Sequence, residues 1–228
     1  MMASLSLAFL RDRYVHVFSS IITTLAIAVA LSFINVSLYG YSQLSLFLYF
    51  LSSFALWGAF ATTIGKAFWF QSLLEQRYSY FQINSIRYFG LLVFEEIIVN
   101  LPILLLAVLV MSVYLADLTL IIHLLVLMTL AMFLILSFSL LVSLVSIKFK
   151  RLLILQNVFV RGGMFLTPVI WIPSDDAALR LLIEMNPLSL PFEMLADLLF
   201  YRDIQFVYSS IWLPASFIFL ALILFYFW

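Results

Sequence analysis

The sequence contains no cysteine and only two histidines, His16 and His123. Without cysteine the chain has no disulfide, no cysteine-ligated zinc or iron–sulfur cluster and no cysteine nucleophile. With two imidazoles we expect neither a metal site nor a cofactor on this chain. Charged residues are also rare, at 10% of the 228 residues, whereas soluble domains carry about a quarter. The composition therefore excludes a soluble globular domain.

Apolar residues make up most of the sequence. The chain is 66% hydrophobic and 18% aromatic, with a mean hydropathy of +1.21. Backbone polar groups must be paired inside lipid, and the alternating segments of a membrane β-barrel do not occur in the sequence. We predict an all-α polytopic membrane protein with a single transmembrane domain over residues 1–228, surrounded by membrane lipids and with no nucleic-acid partner.

A membrane-spanning helix needs roughly 20 mostly apolar residues. The stretches that meet or nearly meet this length are 17–37, 44–64, 91–114, 119–147, 152–172 and 206–228. The second, fourth and sixth contain no Asp, Glu, Lys or Arg. We therefore predict six transmembrane helices. The first apolar run is too long for the core of a signal peptide, so we expect no cleavage there.

The distribution of Lys and Arg predicts the orientation. With a cytoplasmic N-terminus, the inner segments hold Arg11, Arg13, Lys66, Arg77, Arg87, Lys148, Lys150 and Arg151. The outer segments hold only Arg180 and Arg202, and Arg161 lies inside the fifth span. Short cytoplasmic loops carry an excess of basic residues. Both termini are therefore expected on the cytoplasmic side.

Two cytoplasmic segments lie outside the spans. Residues 1–16 combine apolar and charged side chains, which favours a short interfacial helix, with an ordinary basic flank as the alternative. Residues 65–90 form the longest cytoplasmic connection, and they are polar, aromatic and basic together. A loop of this kind either docks a partner or only covers helix ends, and its polar side chains favour docking.

Residues 173–203 form an unusual external segment. Asp175 and Asp176 follow Pro173, as at a helix start, and Asn186-Pro187 then interrupts the helical pattern. Glu193 and Asp197 lie four residues apart and so share one helix face. Neither half is long enough to cross a bilayer. We predict a re-entrant helical hairpin between helices 5 and 6, with an ordinary helical loop as the alternative.

Three ionisable residues fall inside predicted spans: Glu95 and Glu96 in the third, and Arg161 near the middle of the fifth. An Arg or Asp at a helix centre costs about 2.5–3.5 kcal/mol on insertion scales, so each residue needs a partner or water. One interpretation is a Glu–Arg pair that joins helices 3 and 5. The other is that Arg161 faces a polar path and holds an anionic group in transit.

Most Trp and Tyr residues fall near predicted membrane interfaces, but Trp57 lies inside the second span. With Phe54, Phe60 and Phe165 it forms a candidate substrate path, because aromatic faces pair with the apolar faces of sugar rings. Packing in the core is the alternative for each residue.

Sequence motifs for catalysis are missing. There is no glycine-rich phosphate loop, no His-Glu-x-x-His and no Gly-x-Ser-x-Gly. His123 lies in an otherwise apolar segment, where a structural role is expected. We predict that the chain is not an enzyme.

Residues 152–173 read LLILQNVFVRGGMFLTPVIWIP, and residues 175–203 read DDAALRLLIEMNPLSLPFEMLADLLFYRD. This region resembles the membrane subunit of polysaccharide-exporting ABC transporters, which move O-antigen, capsular polysaccharide or teichoic acid on lipid anchors. The likeness rests on Thr167-Pro168 near the end of the fifth helix and on Asn186-Pro187 about twenty residues later. A basic turn at 148–151 and Arg11-Asp12 near the N-terminus also resemble the family.

The resemblance implies a permease of the bacterial inner membrane that exports lipid-linked polysaccharide, such as O-antigen lipopolysaccharide or capsule. It implies a homodimer, with each copy bound to a separate ABC ATPase subunit that holds ATP and Mg²⁺. The coupling contacts would be Glu75, Arg77, Tyr78 and Gln82. The external gate would include Thr167, Pro168, Asn186, Pro187, Glu193 and Asp197.

Two alternatives stay open at this point. The same architecture can serve another cargo, such as haem, a drug or a lipid. The chain can also act as a membrane protein without an ATPase.

Overall fold

A computed structural model of the chain describes residues 2–69, 85–149, 154–173, 186–202, 215–220 and 222. Within these ranges the regular structure is helical and no strand occurs, which confirms the all-α prediction. The long helices are α1 (Met2–Tyr39), α2 (Gln43–Phe68), α3 (Ser85–Leu115) and α4 (Leu118–Lys148). The predicted interfacial helix and the first predicted span are one continuous helix, α1.

Three helices in the described part of the chain are long and apolar enough to cross a membrane: Val17–Tyr39 within α1, Gln43–Phe68, and Leu118–Ser146 within α4. The transmembrane character predicted from composition is thus supported. Helix α3 has 31 residues and contains Pro102. At 1.5 Å per residue α3 extends for about 46 Å, which exceeds the hydrocarbon thickness of about 30 Å.

Short polar turns start α2 and α4. Gly40 has a φ of +70°, and Ser42 then caps α2 by accepting a hydrogen bond from the Ser45 N–H at 3.1 Å. Asp117 caps α4 in the same way, accepting from the Thr119 N–H at 2.8 Å. Serine and aspartate are preferred caps because their side-chain oxygens pair with free N–H groups of the first turn. Both turns are tight, so neighbouring helices run antiparallel.

Helix α2 is the centre of the bundle. It packs against α1, α3 and α4, and 72% of its apolar stretch is buried, compared with 44% in α4 and 17% in α1. Its fully buried large side chains are Leu46, Leu48, Tyr49, Phe50, Leu51, Leu56 and Ile64. The hydrophobic core is therefore arranged around one helix.

Two short composite helices follow α4. Helix α5 covers residues 154–166 and includes a π-helical turn, Val158–Gly162, before Gly163–Leu166. Helix α6 covers residues 187–201 and consists of a 3₁₀ turn (Pro187–Ser189), an α-helix (Leu190–Ala196) and a π-helical turn (Asp197–Tyr201). Both helices touch α2.

In the region predicted as the fifth span, the helix ends earlier than predicted. It ends at Leu166 rather than continuing to residue 172, and Thr167 is extended, with φ −107° and ψ 147°. Pro168 causes this break, because the residue before a proline is driven away from the helical region. The described helix is about 20 Å long, less than the hydrocarbon thickness of about 30 Å.

Helix α6 starts in the middle of the bundle. Leu188, Pro191 and Phe192 surround a small apolar gap together with side chains of α2 and α4, namely Leu56, Trp57, Phe60, Ala131, Leu134 and Ile135. The α2 residues in this set lie about 20–26 Å along the helix from Gln43, near its midpoint. At its other end α6 reaches the start of α2, where the Tyr201 and Tyr41 hydroxyls are 2.9 Å apart.

Of the sixth predicted span, the structure describes residues 215–220 and 222, which are helical. The Phe217 ring lies against the Phe138 ring of α4, with centroids 5.4 Å apart. The first half of the predicted hairpin, residues 174–185, lies outside the described residues.

Candidate functional site

The end of α5 and the start of α6 meet inside the bundle, and we call residues 166–168 and 186–188 the junction. On the α5 side, Thr167 is fully buried. Its side-chain hydroxyl donates to the Gly163 carbonyl at 2.9 Å, and its N–H donates to the same oxygen at 2.9 Å. This pair of bonds caps the helix before Pro168, which has no N–H to continue it.

On the α6 side, Asn186 joins the two helices. Its side-chain N–H donates to the Leu166 carbonyl of α5 at 3.2 Å, while its side-chain oxygen accepts from the Leu188 N–H at 3.1 Å. Asn186 is therefore the N-cap of α6 and a link to α5 at once. The structure brings together Thr167, Pro168 and Asn186, and Pro187 occupies the first position of α6.

Tyr49 of α2 completes the junction, and the sequence interpretation did not identify it. The side chain is fully buried, and its hydroxyl donates to the Pro168 carbonyl at 2.5 Å. The Trp171 carbonyl is 3.4 Å from the same hydroxyl. The sequence did hold a signal: Tyr49 lies within a span that has no charge, away from the interfaces where tyrosine is common.

Glu193 and Asp197 lie one turn apart on α6, and both are half-buried. They lie on the same helix as Phe200, whose ring packs against Tyr49. These two predicted gate residues therefore line the same region as the junction, toward the Tyr201 end of α6.

The structure places the residues of the candidate substrate path in different environments, some in the core and one on the surface. Trp57 and Phe60 are only 5% and 4% exposed, and their ring centroids are 4.8 Å apart. Phe54 is half-buried beside them, whereas Phe165 is 62% exposed on α5. Trp57 and Phe60 thus belong to the packed core of this chain, and Phe165 belongs to its outer surface.

Arg161 lies in the π-helical turn of α5, and its side chain is exposed. The structure describes Glu95 and Glu96 only as part of the α3 backbone, and their side chains lie outside the described residues. The predicted Glu–Arg pair therefore stays a prediction.

Of the predicted loop at residues 65–90, residues 65–68 belong to the end of α2 and residues 85–90 to the start of α3, so the connection between the helices is shorter than predicted. Trp69, which directly follows α2, donates its indole N–H to the Gln156 side-chain oxygen of α5 at 2.6 Å. The Ser146 hydroxyl of α4 donates to the Ala67 carbonyl at 3.1 Å. The start of the loop is therefore fixed to α4 and α5. The proposed coupling residues Glu75, Arg77, Tyr78 and Gln82 lie outside the described residues.

Chemically, the junction is a partly buried, hydrogen-bonded connection between two helix ends. Among the described side chains, no group of three or more His, Asp or Glu residues is positioned to hold a metal ion. At this connection the Tyr49 and Asn186 side chains donate hydrogen bonds to backbone carbonyls. Comparison with protein-family models finds no match for this chain, and comparison with curated proteins finds no similar sequence.

Proposed function

We propose that this chain is the transmembrane subunit of an ATP-driven exporter that moves lipid-linked polysaccharide across a bacterial inner membrane. The junction is the observation that carries the transport part of this proposal. Non-helical backbone at membrane depth is tolerated where it is buried in protein or lines a cavity. Interrupted helices that meet near the midplane are typical of transporters.

The proposed topology has six spans and cytoplasmic termini, with residues 173–203 entering the bundle from the outer side. Two observations support the entry of this segment. Leu188, Pro191 and Phe192 lie near the midpoint of α2, and Phe200 stacks on Tyr41 at the start of α2, with ring centroids 4.2 Å apart. In this orientation α6 rises from the membrane interior to the outer surface.

The exposed side chain of Arg161 supports a homodimer. A guanidinium that faced lipid near the middle of a span would cost about 2.5–3.5 kcal/mol. The surrounding face of α5 is apolar and exposed, with Val158 and Phe165 each more than half exposed. We propose that a second copy adjoins this face and that Arg161 faces the polar path between the copies, where it meets the anionic part of the cargo.

ATP hydrolysis is assigned to a separate subunit that docks on residues 65–90. The chain has no phosphate-binding loop of its own. The hydrogen bonds from Trp69 to Gln156 and from Ser146 to the Ala67 carbonyl connect the start of this loop to α5 and α4. Movement of the docked loop would therefore reach α5 directly.

Co-purification of the full-length chain from its native membrane tests the partner. We expect an ABC ATPase to be recovered with the wild-type chain and lost from Arg77→Glu, because the substitution reverses charge at the docking surface. Arg180→Glu is the matched control, since it makes the same reversal on the predicted outer side. Recovery of wild-type protein without any ATPase would contradict the proposal and favour a membrane protein that acts alone.

A further inference from the structure

Tyr49 contacts the α5 side of the junction and the far end of α6. Its hydroxyl binds the Pro168 carbonyl, just beyond the end of α5, at 2.5 Å. Its ring packs against Phe200 of α6, with centroids 5.6 Å apart. Phe200 also stacks on Tyr41, and the Tyr41 and Tyr201 hydroxyls are hydrogen-bonded. One side chain of the central helix therefore joins the segment that leaves α5 to the far end of α6.

The position of the hydroxyl makes this contact energetically important. Tyr49 lies about 9 Å along α2 from Gln43, and its side chain has no solvent-exposed surface. Pro168 follows the last turn of α5, so its carbonyl is not part of an intrahelical ladder. A buried carbonyl that loses its donor keeps the full penalty of desolvation. The hydroxyl thus stabilises the closed junction relative to any arrangement in which Pro168 moves away.

The backbone near the junction makes two further hydrogen bonds among the described residues. The Asn186 bond to the Leu166 carbonyl links α5 to α6, and the Val169 N–H bonds locally to the Thr167 carbonyl at 2.7 Å. Helices α5 and α6 each contain a π-helical turn, Val158–Gly162 in α5 and Asp197–Tyr201 in α6. Such turns interrupt regular helices and are frequent at functional sites.

We propose that Tyr49 is a positioning residue that latches the junction shut. Breaking the Tyr49–Pro168 hydrogen bond releases the segment after α5 and lets the start of α6 separate from it. A role of this latch in transport, in which it controls an outer gate, rests on the proposed function. The latch itself is a statement about the fold, and it is testable without ATPase or cargo.

The absence of cysteine makes the test direct, because a single introduced thiol can be labelled. Ser189 at the start of α6 and Ser143 in α4 are both buried serines, and within the described part of the chain their hydroxyls have no hydrogen-bond partner. S189C and S143C are near-isosteric reporters that break no described bond. The measurement is the rate of labelling by a small water-soluble maleimide on the full chain in lipid nanodiscs.

Tyr49→Phe keeps the ring and removes the hydroxyl. We expect it to raise the labelling rate of S189C by about tenfold, since the open population grows when a buried carbonyl loses its donor. S143C should label at an unchanged rate. Tyr41→Phe is the matched control, because it removes another hydroxyl of the same region, one that lies at the exposed end of α6, and it should leave S189C unchanged.

An unchanged S189C rate in Tyr49→Phe would overturn the proposal. An equal rise at both reporters would also overturn it, because it would show a general loosening of the bundle. If Tyr49→Phe does not accumulate, Tyr49→Met replaces it, since methionine is a flexible apolar side chain that also lacks the hydroxyl, and the same outcomes decide. A positive labelling result together with normal glycan display in the absence of this chain would retain the latch and refute the exporter.

Discussion

At the scale of single residues, the lack of a side chain at Gly163 allows α5 to approach α2 closely. A Cβ atom added at Gly163 would lie 2.9 Å from Cη2 of Trp57, a separation that real Cβ atoms do not show. Trp57 is buried among Phe60 and Phe192 and has little room to move. Gly163 is therefore required by a close helix contact, and the contact fixes the level at which α5 ends.

Gly163→Ala is expected to lower the free energy of unfolding by about 1–3 kcal/mol, the usual cost of overpacking a core. Gly162→Ala is the neighbouring control, because its Cβ would meet only Val158 Cγ1 at 3.9 Å, an ordinary contact. Thermal unfolding in detergent, followed by tryptophan fluorescence, measures both. Equal stability of the two variants would show that the Trp57 contact does not limit the approach.

At the scale of helices, polar side chains join α2 to its neighbours inside an apolar bundle. Asn100 of α3 donates to the Thr62 hydroxyl at 3.0 Å, and Thr62 donates in turn to the Gly58 carbonyl at 2.9 Å. Ser52 donates to the Met111 sulfur at 2.8 Å. Because lipid offers no hydrophobic drive for association, such bonds and close packing hold membrane helices together.

A double-mutant cycle measures the bond between α2 and α3. Combining Asn100→Leu with Thr62→Val should give a coupling energy of about 0.6 kcal/mol, with 1.7 kcal/mol as the upper end for membrane helices. The cycle isolates this pair from the other interactions of Asn100. Pairing Asn100→Leu with Thr129→Val is the control, since Thr129 bonds to Leu125 of its own helix. Zero coupling in the first cycle would contradict the interhelical bond.

At the scale of the whole molecule, the bundle is organised around α2 and divides the α5 surface into two faces. One face approaches α2 through Gly163. The other face is exposed and carries Arg161 among apolar side chains. A cation on an apolar face is expensive in lipid, and this cost supports the proposed contact of Arg161 with a polar path.

Arg161→Ala is expected to reduce glycan export while leaving the amount of inserted protein unchanged, because the proposed function places this exposed side chain against cargo rather than in the packed core. Arg161→Lys, which keeps the charge, should retain more export. Export is measured as surface glycan, and protein level by immunoblot of membranes. A fall in protein level that Glu95→Gln or Glu96→Gln restores would contradict this account and show a structural Glu–Arg pair.

For two of the three charge-free runs, the structure describes the helix over its full length and the sequence predicted its position well. The predicted spans 44–64 and 119–147 lie within α2 and α4, because long charge-free runs have one stable arrangement in lipid. The central place of α2 could not be predicted, since α2 and α4 are both strongly apolar and burial depends on neighbours. The early end of α5 was also missed. Thr167-Pro168 marks the place, because a proline drives the residue before it away from the helical region.

For the site residues too, the sequence predicted local features but not contacts between distant parts of the chain. Asn186-Pro187 was recognised as a break, and the structure shows why it matters: Asn186 caps α6 and bonds to Leu166 across the break. Tyr49 is 119 residues away from Pro168 in sequence. No local pattern links two such positions, so only the packed structure could identify their hydrogen bond.

The most direct test of the central claim is to delete the gene in its host cell and to follow the lipid-linked glycan in two places, at the cell surface and inside the inner membrane. The account predicts that surface display is lost and that lipid-linked glycan accumulates inside, with both effects reversed by the wild-type gene. Normal surface display of the glycan without internal accumulation would contradict polysaccharide export. It would favour another cargo, such as haem, a drug or a lipid.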